Sequence, residues 1–211
     1  MSAPSRPIRL YRHPVSGHAH RVELMLSLLG LPAELVDVDL FAGGNRTAEF
    51  LAKSPFGQVP VIEDGDATVA DSNAILVYLA TRYDPAGKWL PRDAAGAARV
   101  QRWLSVAAGE LAYGPASARL VTKFGAKLDH DRTKAIARRL YTVIDRHLAT
   151  SAFLAGDEPT IADVAIYSYT AIAPEGDVSL EAYGNVRAWL ARVEALPGFV
   201  PMPRLPLEPA A

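Results

Sequence analysis

The hydrophobic pattern of this chain changes character once, near Asp84, and that change limits the folds open to it. Before it, short β-type runs alternate with helical stretches; after it, only helical periodicity remains. Residues 8–11 read as a strand, and residues 17–29 place Ala19, Val22, Leu26 and Leu29 at helical spacing before Gly30. Residues 35–40 alternate apolar side chains with Asp37 and Asp39, as a strand does. A loop at Gly43-Gly44 leads to a short helix over residues 47–52, stopped by Pro55 and Gly57. Strands over residues 59–63 and 67–69 flank Asp64-Gly65, a hairpin signal, and Asp71-Ser72 caps a helix carrying Ile75, Tyr78 and Leu79 on one face.

The expected order to residue 83 is therefore β-α-β-α-β-β-α, a compact α/β domain. Pro85, Gly87 and Pro91 mark residues 84–92 as a linker, and residues 93–211 are predicted to be all-α. Ile136, Leu140, Val143, Ile144 and Leu148, and again Val186, Trp189, Leu190 and Val193, carry the helical spacing. Residues 1–7 have no secretory-signal pattern and read as a short disordered lead. The proline-rich stretch over residues 201–209 is expected to pack extended or to fray.

Composition narrows the function. The chain has 22 Lys+Arg against 23 Asp+Glu, and no basic block interleaved with aromatics, which argues against a nucleic-acid partner. No uninterrupted apolar run is long enough to span a bilayer. With 0 Cys, disulfides, thiolate ligands and cysteine nucleophiles are all excluded, so any thiol chemistry must come from a bound molecule. His13, His18 and His20 crowd one loop, but strand and helix directions should aim them apart, so no metal set is expected.

Three local motifs suggest a ligand site. Ser16 stands at or just before the first helix, where its hydroxyl either caps the helix or donates to an anion held at the positive helix end. Pro60 enters a strand without a ladder N–H; a cis Val59-Pro60 bond would turn the backbone of Val59 toward an extended peptide, and the alternative is a trans proline on an edge strand. Asp71 and Ser72 are either plain caps or a site for a zwitterionic amino-acid end: Ser72 with nearby amides for a carboxylate, Asp71 for an ammonium.

The runs S-G-x-x-x-R-V from Ser16, P-F-G-Q-V-P-V from Pro55, and A-D-S-N-A-I-L-V-Y-L-A from Ala70 together resemble the glutathione-site motifs of bacterial cytosolic glutathione transferases. Farther on, the stretch from Pro159 to Asp163 resembles that family's capping box and staple, and residues 185–190 and 196–199 are similar to its closing helix. The resemblance implies a thioredoxin-like N-terminal domain, a helical-bundle C-terminal domain, glutathione as co-substrate without a metal, and a cytoplasmic homodimer acting on a small electrophile.

Carried over residue by residue, the resemblance makes Ser16 the thiolate-stabilising serine, Val59 and Pro60 the cis-proline turn, and Asp71 and Ser72 the γ-glutamyl site. Gln58 is a further expected contact, and His18 is either a capping histidine or a contact for the glycyl carboxylate. Tyr11 falls one position from the family's tyrosine, on the opposite strand face, and reads as core. Tyr113 and Phe124 are the candidates for an electrophile pocket. Thr160 and Asp163 satisfy a capping box, which reads as structural.

Two other activities share this resemblance. A glutathione-dependent isomerase of the maleylacetoacetate type resembles a Ser-Ser-Cys run at the first turn, from which Ser16-Gly17-His18 departs. Non-catalytic modules of this fold often lose the serine or the Asp-Ser pair, and this chain keeps both.

Overall fold

The computed structural model describes residue 4 and residues 6–205. Strand β1 (Ile8–Arg12) leads through a short turn into helix α1 (Gly17–Leu28), and β2 (Ala33–Asp37) returns parallel to β1, with Leu10 opposite Leu35. A 3-10 turn at Gly44–Arg46 and helix α2 (Ala48–Lys53) cross to β3 (Val61–Asp64), which pairs antiparallel with both β1 and β4 (Ala67–Ala70). The result is a 4-stranded mixed sheet in the order β2-β1-β3-β4, followed by α3 (Ser72–Tyr83). This is the thioredoxin-like arrangement.

Two expected strands are displaced. The second spans Ala33 to Asp37, not residues 35–40, because its parallel pairing with β1 runs from Ile8 to Arg12; just beyond it Val38, whose N–H still donates to Arg12 O at 2.7 Å, packs with Tyr11 and Phe50. The third begins at Val61, not Val59: Pro60 has no N–H for the ladder, and the Val59-Pro60 peptide is cis. Tyr11 is 7% exposed and donates to a Glu63 carboxylate oxygen at 2.9 Å, so it belongs to the core of the sheet's outer face.

After the segment holding Trp89, helices α4 (Ala94–Ala108), α5 (Ser117–Phe124), α6 (His130–Leu148), α7 (Ile161–Ala171) and α8 (Gly184–Glu194) follow. A π-helical turn at Ala112–Ala116 contains Pro115 and precedes α5, since proline cannot complete an ordinary turn. Extended pairing among the described residues of this half is limited to an isolated bridge between Phe153 and Gly156.

Helix α7 is buried along its whole length and packs against α1, α3 and α4, so one apolar core runs through both halves. Its N-terminus is held by the expected capping box, with Asp163 also accepting from Leu154 N and Trp189 Nε1, each at 2.9 Å. Residues 200–205 form neither helix nor strand but are packed down: Val200 O meets His20 Nε2 at 3.0 Å, Met202 is buried, and Leu205 N donates to Glu175 at 2.9 Å. The remaining prolines of that stretch, Pro206 and Pro209, lie outside the described residues, as does most of the N-terminal lead.

Candidate active site

A cleft of about 440 Å³ opens where the first turn, the loop before β3 and the start of α3 face the second half of the chain. Its walls include Ser16, His18, Gln58, Val59, Pro60, Asp71 and Ser72, so the structure brings together residues that lie up to 56 positions apart. The sheet explains this convergence, because β1, β3 and β4 are adjacent and the segments around them end on one edge.

Ser16 fills the capping role and also lines the cleft. As the N-cap of α1 its Oγ accepts from Ala19 N at 3.3 Å. A serine hydroxyl has one proton and two lone pairs. The cap consumes a lone pair, so the proton remains for a partner in the cleft.

Asp71 caps α3 by accepting from Asn73 N and Ala74 N, both at 2.9 Å, and does so with φ at 76°. With ψ at 125° this positive-φ backbone lies outside the left-handed helical region and is uncommon for any residue but glycine. Its second carboxylate oxygen remains for a cation.

His18, partly exposed at the cleft, packs edge-on against Tyr169 with ring centroids 5.0 Å apart. Desolvation, with a smaller push from the Arg21 cation, lowers its pKa to about 3, so the ring is neutral at any working pH. His20 is buried instead, because α7 covers that side of α1; its Nδ1 lies 2.9 Å from Ser168 Oγ. Among the described residues, no group of three or more His, Cys, Asp or Glu is placed to hold a metal, and no helix is long and apolar enough to cross a membrane.

Several cleft residues carry no motif in the sequence. Asn45 and Arg46 reach the cleft from the loop after Gly43-Gly44, with Asn45 Nδ2 donating to Gly57 O at 2.7 Å. Ala112, Ala116, Leu120 and Tyr169 form the wall from the helical half. The Tyr169 ring lies so close to the first turn that a Cβ at Gly17 would stand 2.7 Å from its Cζ. Only the Gly43-Gly44 loop signal points toward Asn45 and Arg46; the helical wall depends on packing between distant helices.

Neither electrophile-pocket candidate is among the residues that line the cleft, and Tyr113 is 67% exposed. Phe124 stacks on the exposed Phe41 at 6.3 Å between centroids, and Phe41 meets His13 edge-on at 5.5 Å. That aromatic group joins the loops after β1 and β2 to the end of α5.

The fold and the converging cleft define a glutathione-transferase-like protein. Sequence profiles of the glutathione S-transferase N-terminal domain match residues 15–82, and those of the C-terminal domain match residues 106–197. Glutathione S-transferase 3 of Zea mays is 33% identical over 97% of this chain and 99% of its own length. The crystal structure of a glutathione S-transferase from Pseudomonas fluorescens superposes with a TM-score of 0.88 at 32% identity, covering 93% of this chain and 99% of that one. A glutathione transferase homolog from Drosophila mojavensis, solved with bound glutathione, has a TM-score of 0.80 at 28% identity over 90% of this chain and 89% of its own. The chain belongs to the glutathione S-transferase family.

Proposed function

We propose that this enzyme binds glutathione in the cleft and keeps its thiol ionised through Ser16, for attack on an electrophilic small molecule. The observation that carries the reading is the placement of Ser16: its oxygen accepts from Ala19 N and the residue lines the cavity, which leaves the hydroxyl proton for a bound group. A free thiol titrates near 8.5, and lowering that value by about two units takes roughly 2.7 kcal/mol. A hydrogen bond to a charged group supplies about 1.5–3 kcal/mol, and the positive end of α1 adds to it.

The other cleft residues suit the rest of the tripeptide. Asp71 faces the γ-glutamyl ammonium, and Ser72 with the first-turn amides of α3 faces its carboxylate. Val59, next to the cis bond, pairs with the peptide middle. Gln58, His18, Arg46 and Asn45 surround the remaining polar and anionic end. In this reading residues 1–83 supply the glutathione site, residues 84–92 link, and residues 93–211 supply the electrophile wall, with Phe124 at its rim. The working form is a cytoplasmic homodimer, supported by the family alone.

Calorimetric titration with glutathione tests the site, and Ser16→Ala tests the chemistry. We expect the variant to bind glutathione but to raise the pKa of the bound thiol by about one to two units, lowering kcat/KM at neutral pH by about tenfold or more. An unchanged bound-thiol pKa with unchanged turnover would refute the role of Ser16. Parallel assays with a chlorinated aromatic and a maleyl substrate separate transferase from isomerase chemistry.

A further inference from the structure

Arg21 is the most buried cation in the site and lies behind it, 1% exposed, on the second turn of α1. One nitrogen, Nη1, lies 3.0 Å from Ser72 Oγ and 3.0 Å from His18 Nδ1. A guanidinium has donors and no lone pair to offer, so both of its partners must accept. Nη1 carries two hydrogens, one for each.

This fixes two proton positions. With Nδ1 accepting, neutral His18 carries its proton on Nε2. With Oγ accepting from Arg21, the Ser72 hydroxyl proton points elsewhere; His18 Nδ1, 3.4 Å away, already has its lone pair engaged. Both Ser72 and His18 line the cleft.

We propose that Arg21 is a positioning residue, which sets Ser72 and His18 as proton donors toward an anionic group in the cleft. Two further observations support it. Arg21 Nε and Nη2 are buried without a hydrogen-bond partner, and the carboxylate nearest in influence, Asp71, makes no hydrogen bond to them: one of its oxygens caps α3 and the other is left for a ligand. The positive charge is thus only partly balanced, and a buried cation in that condition favours an anion nearby. Tyr169 covers the guanidinium at 5.7 Å from ring centroid to Cζ and keeps water off it. The identity of that anion, a carboxylate of glutathione, rests on the function proposed above; the proton placement does not.

The test has two arms. In ligand-free protein, nitrogen-detected NMR of the histidine rings at neutral pH should show His18 as the Nε2–H tautomer. Arg21→Met should convert it to a mixture, and Arg21→Lys, which keeps the charge and more than one N–H, should restore it. In the second arm, Arg21→Met should weaken glutathione binding by about tenfold or more, with the loss in KM and not in kcat, and Arg21→Lys should recover most of it. An Nδ1–H or doubly protonated His18 in the unmodified protein overturns the proposal whether or not the methionine variant folds. So does an unchanged tautomer and unchanged affinity in Arg21→Met. If the unmodified protein binds no glutathione, the functional reading falls, and the first arm alone decides the proton placement.

Discussion

Arg119 and Glu175 form a closed ion pair, Nε to Oε2 at 2.6 Å with both side chains 4% exposed, directly behind the turn that carries Ser16. The same guanidinium donates through Nη1 to Val15 O at 2.8 Å, and the other carboxylate oxygen of Glu175 accepts from Leu205 N. The pair therefore ties α5, the first turn and the segment at residues 200–205 to one point. Truncating one partner of such a pair leaves a buried charge uncompensated. Glu175→Ala should cost about 3–5 kcal/mol in urea unfolding. Paired with Arg119→Met in a double-mutant cycle, the two losses should be strongly non-additive.

A second prediction concerns Asp163. Its carboxylate serves Leu154 N, Thr160 N and Trp189 Nε1, each at 2.9 Å, inside a helix with no exposed face. Asp163→Ala removes the acceptor and leaves those donors buried and unmet. We expect a loss of about 3 kcal/mol or more, read as a lowered urea midpoint with an unchanged slope. Glutathione affinity of the folded fraction should be nearly unchanged, because no atom of Asp163 reaches the cleft.

What could be read from the sequence was what is local. Ser16 on Ala19, Asp71 on Asn73 and Thr160 with Asp163 are contacts within three positions, so residue type and spacing suffice to expect them. The Asp64-Gly65 turn likewise states its hairpin directly. What stayed hidden depends on helices meeting. Arg21 reaches Ser72 across 51 positions and Arg119 reaches Glu175 across 56; Arg21 stands in the first motif but nothing local says that it is buried, and Arg119 lies in no motif. Tyr113 and Phe124 sit on one short stretch, yet a π-helical turn between α4 and α5 rotates Tyr113 outward while Phe124 meets Phe41. A rotation of that kind has no signature in the spacing of apolar residues.

Gly17 offers a packing test of the first turn. Its missing Cβ admits the Tyr169 ring, with 2.7 Å as the distance a Cβ would have to Cζ. Gly17→Ala should destabilise by about 1–3 kcal/mol, since the ring and the helix end must separate. Combining it with Tyr169→Ala should cost less than the sum of the two single changes. Because Ser16 adjoins Gly17, the single alanine variant should also lower kcat/KM.

Phe41 is 78% exposed, and its ring contacts are His13 and Phe124. Exposed side chains contribute little to stability, so Phe41→Ala should stay within about 0.5 kcal/mol of the unmodified protein. An aromatic electrophile stacking on this group would lose part of its contact. We expect KM for a chlorinated aromatic to rise about threefold to tenfold, from about 0.5–1.5 kcal/mol of ring contact. KM for glutathione should move much less, and equal changes in both would remove Phe41 from the electrophile side.

The last prediction is the pH dependence of stability set by His18. Its folded pKa is lowered from the ordinary 6.5 to about 3, by desolvation first and the Arg21 cation second. In the unfolded chain the ring takes a proton below about 6.5, whereas in the folded chain it stays neutral until near 3. Between those values the unfolded state binds more protons, so stability is full above about pH 6.5 and falls as the pH drops through the window. Inside that window the two states differ by close to one proton, so the slope approaches about 1.4 kcal/mol per pH unit, and it is smaller near pH 6.5 where the unfolded ring is only partly protonated. His18→Gln should remove that part of the slope. Urea unfolding at about pH 7.5 and about pH 5.5 should therefore show the unmodified protein losing about 1 kcal/mol more than the variant. An equal loss in both proteins would mean that His18 accepts a proton in the folded state, which the Arg21 donor at 3.0 Å from its Nδ1 opposes.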